Sequence, residues 1–180
     1  MATFTANSIE LGTGAKFIGT TNGLSDAPAG TIIQTAIDGS TSNITANSDG
    51  SYTDLLSLSF TPRQSNSKII FTIMFNAYFH NGSSGTSNGA DYRLLRDSTS
   101  IKEAHWNMYL HYDGYPKDFY PTTCTFGFDQ PNTTSAITYK LQGRKYSGSS
   151  SNFATVFGED QKSGSATGHT IVLKLEELSV

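Results

Sequence analysis

Apolar and polar residues alternate along most of this chain, which is the period of a β-strand with side chains on two opposite faces. The longest example is KIIFTIMFNAYFH, residues 68–80. One face of this segment is wholly apolar and carries Ile69, Phe71, Ile73, Phe75, Ala77 and Phe79. The other face is mixed and carries Ile70, Thr72, Met74, Asn76, Tyr78 and His80. The pattern predicts one long strand with a single face in the core.

Eight further segments also have the character of strands. AITYKLQGR (136–144) and HTIVLKLEEL (169–178) alternate most regularly, and their predicted inner positions are Ile137, Tyr139, Leu141, Ile171, Leu173 and Leu175. The others are TIIQTA (31–36), DLLSLSF (54–60), DYRLLRD (91–97), IKEAHW (101–106), TCTFGF (123–128) and NFATVF (152–157). Because no window of a dozen residues has helical spacing, we expect almost no helix.

Clusters of Gly, Ser, Asn and Asp separate these segments, as turns and loops require. They are NSDGS (47–51), NGSSGTSNG (81–89), RDSTS (96–100) and SGSSSN (147–152). Eight or nine strands at this spacing predict an all-β fold, an antiparallel sandwich or jelly roll. The chain has 180 residues, enough for one core. We therefore predict one jelly-roll domain over residues 28–180.

Residues 1–27 have a different character, being polar and rich in Gly and Thr. Their apolar residues are isolated: Phe4, Ile9, Leu11, Phe17 and Ile18. These few side chains cannot offset an ordering cost of about 1–2 kcal/mol per residue unless a partner buries them. We predict that this segment is an extended N-terminal arm, which anchors the domain to another copy or to a different protein.

Composition excludes several classes of partner. Charged residues make up 15% of the chain against a typical value of about 25%, while Ser and Thr supply 23 residues each. The 12 Lys and Arg and the 15 Asp and Glu form no runs, so we expect neither nucleic acid nor membrane as a partner. The N-terminus MATFTANSIELG has no basic and apolar regions of a signal peptide, so we expect synthesis in a cytoplasm without export. Cys124 has no second cysteine for an intrachain disulfide.

The motifs that could carry chemistry are weak. GTSNG (85–89) matches a nucleophile elbow around Ser87, but no helix is predicted after it. His105 and His111 are six residues apart, roughly 20 Å along a strand, which is too far for one metal ion. The acids near them show no spacing that favours a catalytic pair: Glu103, Asp113, Asp118 and Asp129. We therefore predict no enzyme activity, no catalytic residue, no metal site and no cofactor.

One stretch, HWNMYLHYDGYPKDFY (105–120), is dense in aromatic residues: Trp106, Tyr109, Tyr112, Tyr115, Phe119 and Tyr120. About half of these would be core residues in any sandwich. For the rest, Tyr and Trp suit both sugar stacking and protein interfaces, because each combines apolar area with a polar tip. We favour burial against a neighbouring subunit over a carbohydrate platform.

From Pro28 onward the chain resembles a family of β-sandwich domains found in structural proteins of tailed phages, especially phages of marine bacteria and cyanobacteria. The segments that carry the resemblance are PAGTIIQT (28–35), LLSLSFTPRQSNSKIIFTIMFN (55–76), YRLLRDSTSI (92–101), QPNTTSAITYKLQGR (130–144) and TIVLKLEEL (170–178). The resemblance implies a jelly roll of the tumour-necrosis-factor or C1q type. Such domains are usually trimeric, lie at fibre tips or on the virion surface, and have no active site. The resemblance also implies that Met74, Tyr78 and His80 lie near the three-fold axis of the trimer.

The resemblance leads to two functional hypotheses. Because only 27 residues precede the domain, we expect a homotrimeric capsid decoration or cement protein rather than a long tail fibre. Its arm would bind the major capsid protein or another virion protein, and it would reside on the virion surface after assembly in the host cytoplasm. The alternative is the receptor-binding tip of a short tail fibre or appendage, with a host surface glycan as partner and Trp106, Tyr112 and Tyr115 stacking on the sugar.

Overall fold

A computed structural model describes the backbone of residues 9–10, 16–17, 27–47, 50–81, 86–112, 117–145, 153–158 and 171–180. Side chains are described for these residues except 9–10, 16–17, 81, 86–88, 105–112, 117 and 153–154. Strands dominate this part of the chain, and it contains no helix. The predicted all-β class is therefore confirmed.

Thirteen strands are formed within the described ranges. They are β1 (Ile9–Glu10), β2 (Lys16–Phe17), β3 (Ile32–Ser40), β4 (Ile44–Thr45), β5 (Thr53–Phe60), β6 (Lys68–Asn81), β7 (Thr86–Arg96), β8 (Thr99–Tyr112), β9 (Lys117–Phe119), β10 (Thr122–Asp129), β11 (Ile137–Lys145), β12 (Phe153–Phe157) and β13 (Ile171–Leu178).

The sheet topology is that of a jelly roll. The larger sheet has the order β3-β13-β6-β10 along one half of β6. Along the other half, β12 and β9 flank β6, and β4 pairs with β12. The smaller sheet has the order β5-β11-β7-β8. Every pairing is antiparallel. Among the eight strands of the orders β3-β13-β6-β10 and β5-β11-β7-β8, each strand and the next along the chain lie in opposite sheets, except β7 and β8, which form a hairpin. This nesting of two Greek keys identifies the fold without reference to any other protein.

The core is organised around the inner face of β6. All six residues predicted for this face are at most 2% exposed: Ile69, Phe71, Ile73, Phe75, Ala77 and Phe79. The predicted inner residues of β11 and β13 are also buried, which confirms the faces of all three strands. Each large apolar side chain buried in this way contributes about 1.5–3 kcal/mol relative to leaving it in water. The two sheets are therefore held together chiefly by apolar burial.

Aromatic side chains and one glycine fit the two sheets closely together. The Phe75 ring meets Tyr92 of the smaller sheet edge-on at 5.3 Å and Phe157 of its own sheet at 5.7 Å between centroids. Gly143 of β11 makes room for Phe157, because an added Cβ would lie 2.5 Å from Phe157 Cζ and 3.0 Å from Leu55 Cδ1. Any larger residue at this position would push the sheets apart locally.

A polar triad also bridges the sheets. The Tyr139 hydroxyl of the smaller sheet donates to Asp129 Oδ2 of the larger sheet at 2.8 Å. Arg96 Nη1 donates to the other oxygen of the same carboxylate at 2.7 Å. Burial and the hydrogen bond to the Asp129 carboxylate raise the pKa of Tyr139 well above its ordinary value. Asp129 thus has both oxygens satisfied, and its charge is balanced by Arg96.

A second buried carboxylate stabilises the loop that carries the chain from β5 to β6. Glu177 is fully buried and accepts from the backbone amides of Arg63 at 2.8 Å and Gln64 at 3.0 Å. It also accepts from the Ser67 hydroxyl at 2.8 Å. Hydrogen bonds to an ionised acceptor are about twice as strong as neutral ones. Glu177 therefore fixes this loop, and it is a charged residue at an inward position of β13.

All nine predicted strands are present, with boundaries shifted by a few residues. The predicted turn at 96–100 is also confirmed, since Asp97 adopts a positive φ of 53° between β7 and β8. The predicted loop over 81–89 is wrong for its last four residues, because β7 begins at Thr86 and pairs with β8 there. Ser87 therefore lies within a strand rather than on a sharp turn.

Within residues 1–27, the structure describes five positions: Ile9, Glu10, Lys16, Phe17 and Ala27. Ile9 pairs with Phe17 and Glu10 with Lys16 in a two-stranded antiparallel sheet. Phe4, Leu11 and Ile18 lie outside the described residues, and nothing described tests the boundary at residue 27. The anchoring role of the arm stays a prediction.

We expect Glu177→Ala to lower the free energy of unfolding by about 3 kcal/mol, because two part-buried backbone amides lose their acceptor and the Ser67 hydroxyl loses one of its two partners. The measurement is chemical denaturation followed by circular dichroism. The matched control is Glu176→Ala, which removes the neighbouring carboxylate on the outward face, bonded to Lys174 at 2.7 Å. It should cost no more than about 1 kcal/mol. Equal losses in the two variants would contradict the assignment.

We expect the stability advantage of the natural protein over Tyr139→Phe to shrink as the pH rises through about 10. The raised pKa keeps Tyr139 protonated in the folded state, whereas in the unfolded chain it ionises near the ordinary value of 10.0. Above that pH the unfolded state binds fewer protons, so the free energy of unfolding falls by up to about 1.4 kcal/mol per pH unit. Denaturation of both proteins between about pH 8 and 11 measures the difference. A constant gap would show that Tyr139 ionises alike in both states.

Candidate functional site

The face of the larger sheet that points away from the core is apolar across four adjacent strands. Residues directly opposite in antiparallel strands share a face, and the register gives three neighbouring rows. The first is Gly39, Val172, Met74 and Cys124; the second is Ile37, Lys174, Thr72 and Phe126; the third is Thr35, Glu176, Ile70 and Phe128. We call the large apolar members of these rows the apolar face: Ile37, Ile70, Met74, Phe126, Phe128 and Val172.

Four members of the apolar face are strongly exposed. The exposed fraction is 78% for Phe126, 68% for Phe128, 64% for Ile37 and 45% for Met74. With roughly 200 Å² of area for a large side chain, these four expose on the order of 500 Å² together. Soluble monomers rarely present a larger contiguous apolar patch, and patches of this size usually mark interaction sites.

The exposure of Phe126 and Phe128 follows from the register of β10. Their neighbour Gly127 is directly opposite Phe71, whose ring occupies the space that a side chain at Gly127 would need. The inner positions of β10 are therefore the small or polar residues Thr123, Thr125 and Gly127. The two phenylalanines point outward, on a strand that pairs with β6 alone among the described residues.

The apolar face has little net charge. The three rows carry two charged side chains, Lys174 and Glu176, and two more lie at the margins, Lys68 beside Phe128 and Asp38 beside Ile37. Lys174 Nζ and Glu176 Oε1 form an ion pair at 2.7 Å, and Lys68 Nζ lies 5.7 Å from the centre of the Phe128 ring at the margin. No excess of one sign is present to repel or to select a charged partner.

The opposite outer face, on the smaller sheet, is polar where its side chains are described. The guanidinium groups of Arg93 and Arg144 lie 3.9 and 4.6 Å from the centre of the Tyr52 ring. Arg144 pairs with the buried Asp91 at 2.9 Å, and Arg93 donates to Gln142 at 2.8 Å. Burial raises the pKa of the Tyr52 hydroxyl. The Arg144 charge is balanced by Asp91 and Arg93 is hydrogen-bonded within the sheet, so the described part of this face is suited to water.

An aromatic and polar group, the Tyr78 cluster, lies at the far end of β6. Its members are Tyr78, His80, Asp118 and Tyr120. Asp118 Oδ1 accepts from the Tyr78 hydroxyl at 2.8 Å and contacts His80 Nδ1 at 2.7 Å. The Tyr78 and Tyr120 rings stack with centroids 5.0 Å apart. The pairing of β9 with β6 creates this cluster, since it places Asp118 opposite His80.

The structure divides the residues predicted for the trimer axis. Met74 belongs to the apolar face, whereas Tyr78 and His80 belong to the Tyr78 cluster. All three residues lie on the outward face of β6, where neighbouring side chains are about 7 Å apart. They therefore follow one another along the strand and do not meet at one point. Their proximity to a symmetry axis is untested.

The aromatic stretch is also divided. Trp106, Tyr109 and Tyr112 lie on β8 in the smaller sheet, and their side chains lie outside the described residues, as does Tyr115. Phe119 and Tyr120 instead contact β6 of the larger sheet: Phe119 is 43% exposed and stacks on Phe79 at 6.3 Å. The backbone of the stretch is therefore divided between the two sheets.

Sequence reasoning missed Ile37, Phe126 and Phe128. In TTCTFGF the apolar residues Cys124, Phe126 and Phe128 alternate with small residues, a pattern that normally marks the buried face. The available signal was Gly127, because a glycine inside a strand often marks the close approach of another group. Only the pairing with β6 identifies that group as Phe71.

The described residues include neither a metal-binding group nor a membrane-spanning helix. No group of three or more His, Cys, Asp and Glu among them could hold a metal ion. Within the same ranges, no helix has the length and apolarity to cross a membrane.

No protein-family model and no curated protein matches the chain. Among solved structures, the VP2 subviral particle of infectious bursal disease virus matches with a TM-score of 0.39 and 15% identity, over 81% of this chain and 40% of that one. The Gt strain of the same virus matches with a TM-score of 0.35 and 14% identity, over 96% and 42%. Dimeric latent PorU from Porphyromonas gingivalis matches with 0.35 and 12%, over 88% and 14%.

This chain spans less than half the length of each of those proteins. At TM-scores below 0.5 the likenesses carry no argument about function. The jelly-roll assignment rests on the strand order of this chain, and the site on its own surface.

We expect Phe126→Ser to change the free energy of unfolding of the dilute subunit by less than about 0.5 kcal/mol, since the ring is mostly in water already. Phe71→Ala, one strand away on the inner face, should cost about 3–5 kcal/mol through the cavity it leaves. Parallel denaturation curves at low protein concentration test both. A large loss from Phe126→Ser would show that the ring stabilises the subunit itself, and the apolar face would then need no partner.

Proposed function

We propose that this chain is a structural virion protein: a homotrimeric capsid decoration or cement protein, attached by its N-terminal arm to the major capsid protein or another virion protein. One observation carries the proposal. Among the described residues the two outer faces of the sandwich differ: the smaller sheet presents bonded arginines, whereas the larger sheet exposes Phe126, Phe128, Ile37 and Met74. A subunit that packs against protein on one side has this asymmetry.

The jelly-roll topology is compatible with the proposal without requiring it. Viral capsid proteins use this fold, and so do lectins and cupins. Fold alone does not identify function. The resemblance of residues 28–180 to structural domains of tailed phages favours a virion protein, at the virion surface, among these alternatives.

The arm supplies attachment in this proposal. Its apolar residues Phe4, Ile9, Leu11, Phe17 and Ile18 would fill grooves on the capsid and gain the burial that the arm cannot provide for itself. Three arms joined in one trimer would bind with high effective concentration, so weak individual contacts give firm attachment. The mechanism is mechanical and needs no catalytic residue.

Recognition of a host glycan has less support from the described residues. The Tyr78 cluster is the described place where stacked rings and polar groups meet, but its Tyr78 hydroxyl and Asp118 carboxylate already bond to each other. A sugar would have to displace that bond or use the residues around Trp106.

We expect deletion of residues 2–26 to abolish cosedimentation with capsids while leaving the domain folded, because the described core is built from residues 36–175. Circular dichroism and thermal unfolding check the fold, and sedimentation with purified heads checks attachment. The matched control is Glu10→Gln with Lys16→Gln, which keeps the apolar residues of the arm and should attach normally.

Gold-labelled antibody viewed on intact virions locates the protein independently. Label over the head is the expected result. Label confined to the tail would overturn decoration in favour of a receptor-binding tip. Normal attachment of the deletion variant would overturn anchoring by the arm.

A further inference from the structure

We infer that the apolar face is the contact between copies of this chain, in which Phe126 and Phe128 of one copy fill a depression on the same face of the next. This inference rests on the proposed assembly role and names the partner of the apolar face. Four independent features of that face support it: shape, area, charge and position in the sheet.

The shape of the face is self-complementary. At one edge, Phe126 and Phe128 project from β10 and are the most exposed large apolar side chains described. At the other edge, a shallow depression is lined by Ile37, Asp38, Gly39 and Val172. Ile37 and Phe126 are the two ends of one row of four strands, about 14 Å apart at the usual strand spacing. One surface therefore presents both the projecting group and the place that can receive it.

The area fits one interface between two copies. A stable interface buries about 800 Å² on each partner, of which about 60% is apolar. The apolar face supplies on the order of 500 Å² of exposed apolar area, close to the apolar share of one such interface. The polar remainder is provided by Thr35 and Thr72 in the same rows and by Thr122, the next outward residue of β10.

The charges permit two like surfaces to meet. Lys174 and Glu176 neutralise each other on the face, and Lys68 lies at its margin over Phe128. Opposing a second copy therefore brings no concentrated like charge together. A partner selected by charge would require an unbalanced surface, which the rows of this face do not offer.

The position of β10 favours a protein partner over a small ligand. Its phenylalanines lie on the outward face of a strand whose only described pairing is with β6. Exposed apolar strands at a sheet edge associate with other chains unless they are covered or charged. The outward residues Cys124, Phe126 and Phe128 of β10 are all uncharged, so a second copy can cover this strand.

Sedimentation velocity of the full chain over a wide concentration range tests the inference. The unaltered protein should reach a mass of two or three times 19.4 kDa. Phe126→Ser with Phe128→Ser removes the projecting rings, and Ile37→Lys places a charge in the depression. Each change should raise the dissociation constant at least about a hundredfold. Val180→Ser, at a residue that is 55% exposed outside the face, is the matched control and should change nothing.

The exposed thiol of Cys124 provides a second readout, because it lies in the same face opposite Met74. Its alkylation by iodoacetamide should be slower in the associated protein than in the dilute one. In the Phe126→Ser, Phe128→Ser variant the rate should be fast at every concentration. Association with an unprotected Cys124 would place the contact elsewhere and overturn the inference.

The remaining outcomes separate this inference from the proposed function. A monomer at all concentrations overturns the inference, and loss of capsid attachment by the Phe126→Ser, Phe128→Ser variant would then make the apolar face a capsid contact. Association that survives both changes, in variants shown by circular dichroism to be folded, also overturns it while leaving arm-mediated decoration intact. A mass of two copies supports the inference and overturns the trimer.

Discussion

Burial of the inner face of β6 is the constraint on which the rest of the structure depends. This strand is central in the larger sheet, with β13 and β12 on one side and β10 and β9 on the other. Its six inner residues are almost completely excluded from water. Since side chains alternate with a period of two, fixing the inner set also fixes the outward set, and a slip of one residue would exchange them. The apolar face and the Tyr78 cluster are both consequences of this register.

Burial of the core does not determine the chemical character of the outward residues, and the two sheets differ in it. On the smaller sheet, the described outward positions carry Arg144 paired with Asp91 and Arg93 bonded to Gln142, so that part of the face is suited to water. On the larger sheet, Phe126 and Phe128 contribute little to the stability of a single subunit, because most of each ring remains hydrated. Under the proposed assembly role, a contact outside the subunit would bury them. Stability of the subunit and assembly would then use opposite faces of the same strands.

The strands could be predicted because alternation of apolar and polar residues within a segment depends only on which of its two faces is buried. Alternation located nine strands and assigned the inner faces of β6, β11 and β13 correctly. It failed on β10, where the apolar residues point outward and Gly127 points inward. The reason is a long-range contact: the Phe71 ring already fills the core beside Gly127. The pattern within β10 cannot show that a side chain from β6 already occupies the core beside it.

The sequence by itself determined the all-β class, the positions of the strands and the residues that share a face within each strand. These properties follow from local alternation and from turn residues such as Asp97. Only the tertiary structure decided which strands are neighbours. That order joins Ile37 and Phe126 in one row, brings Asp118 to Tyr78 and His80, and places Glu177 under the loop at Arg63. Neighbour relations depend on how whole faces pack and how the chain crosses between sheets, and no single segment contains that information.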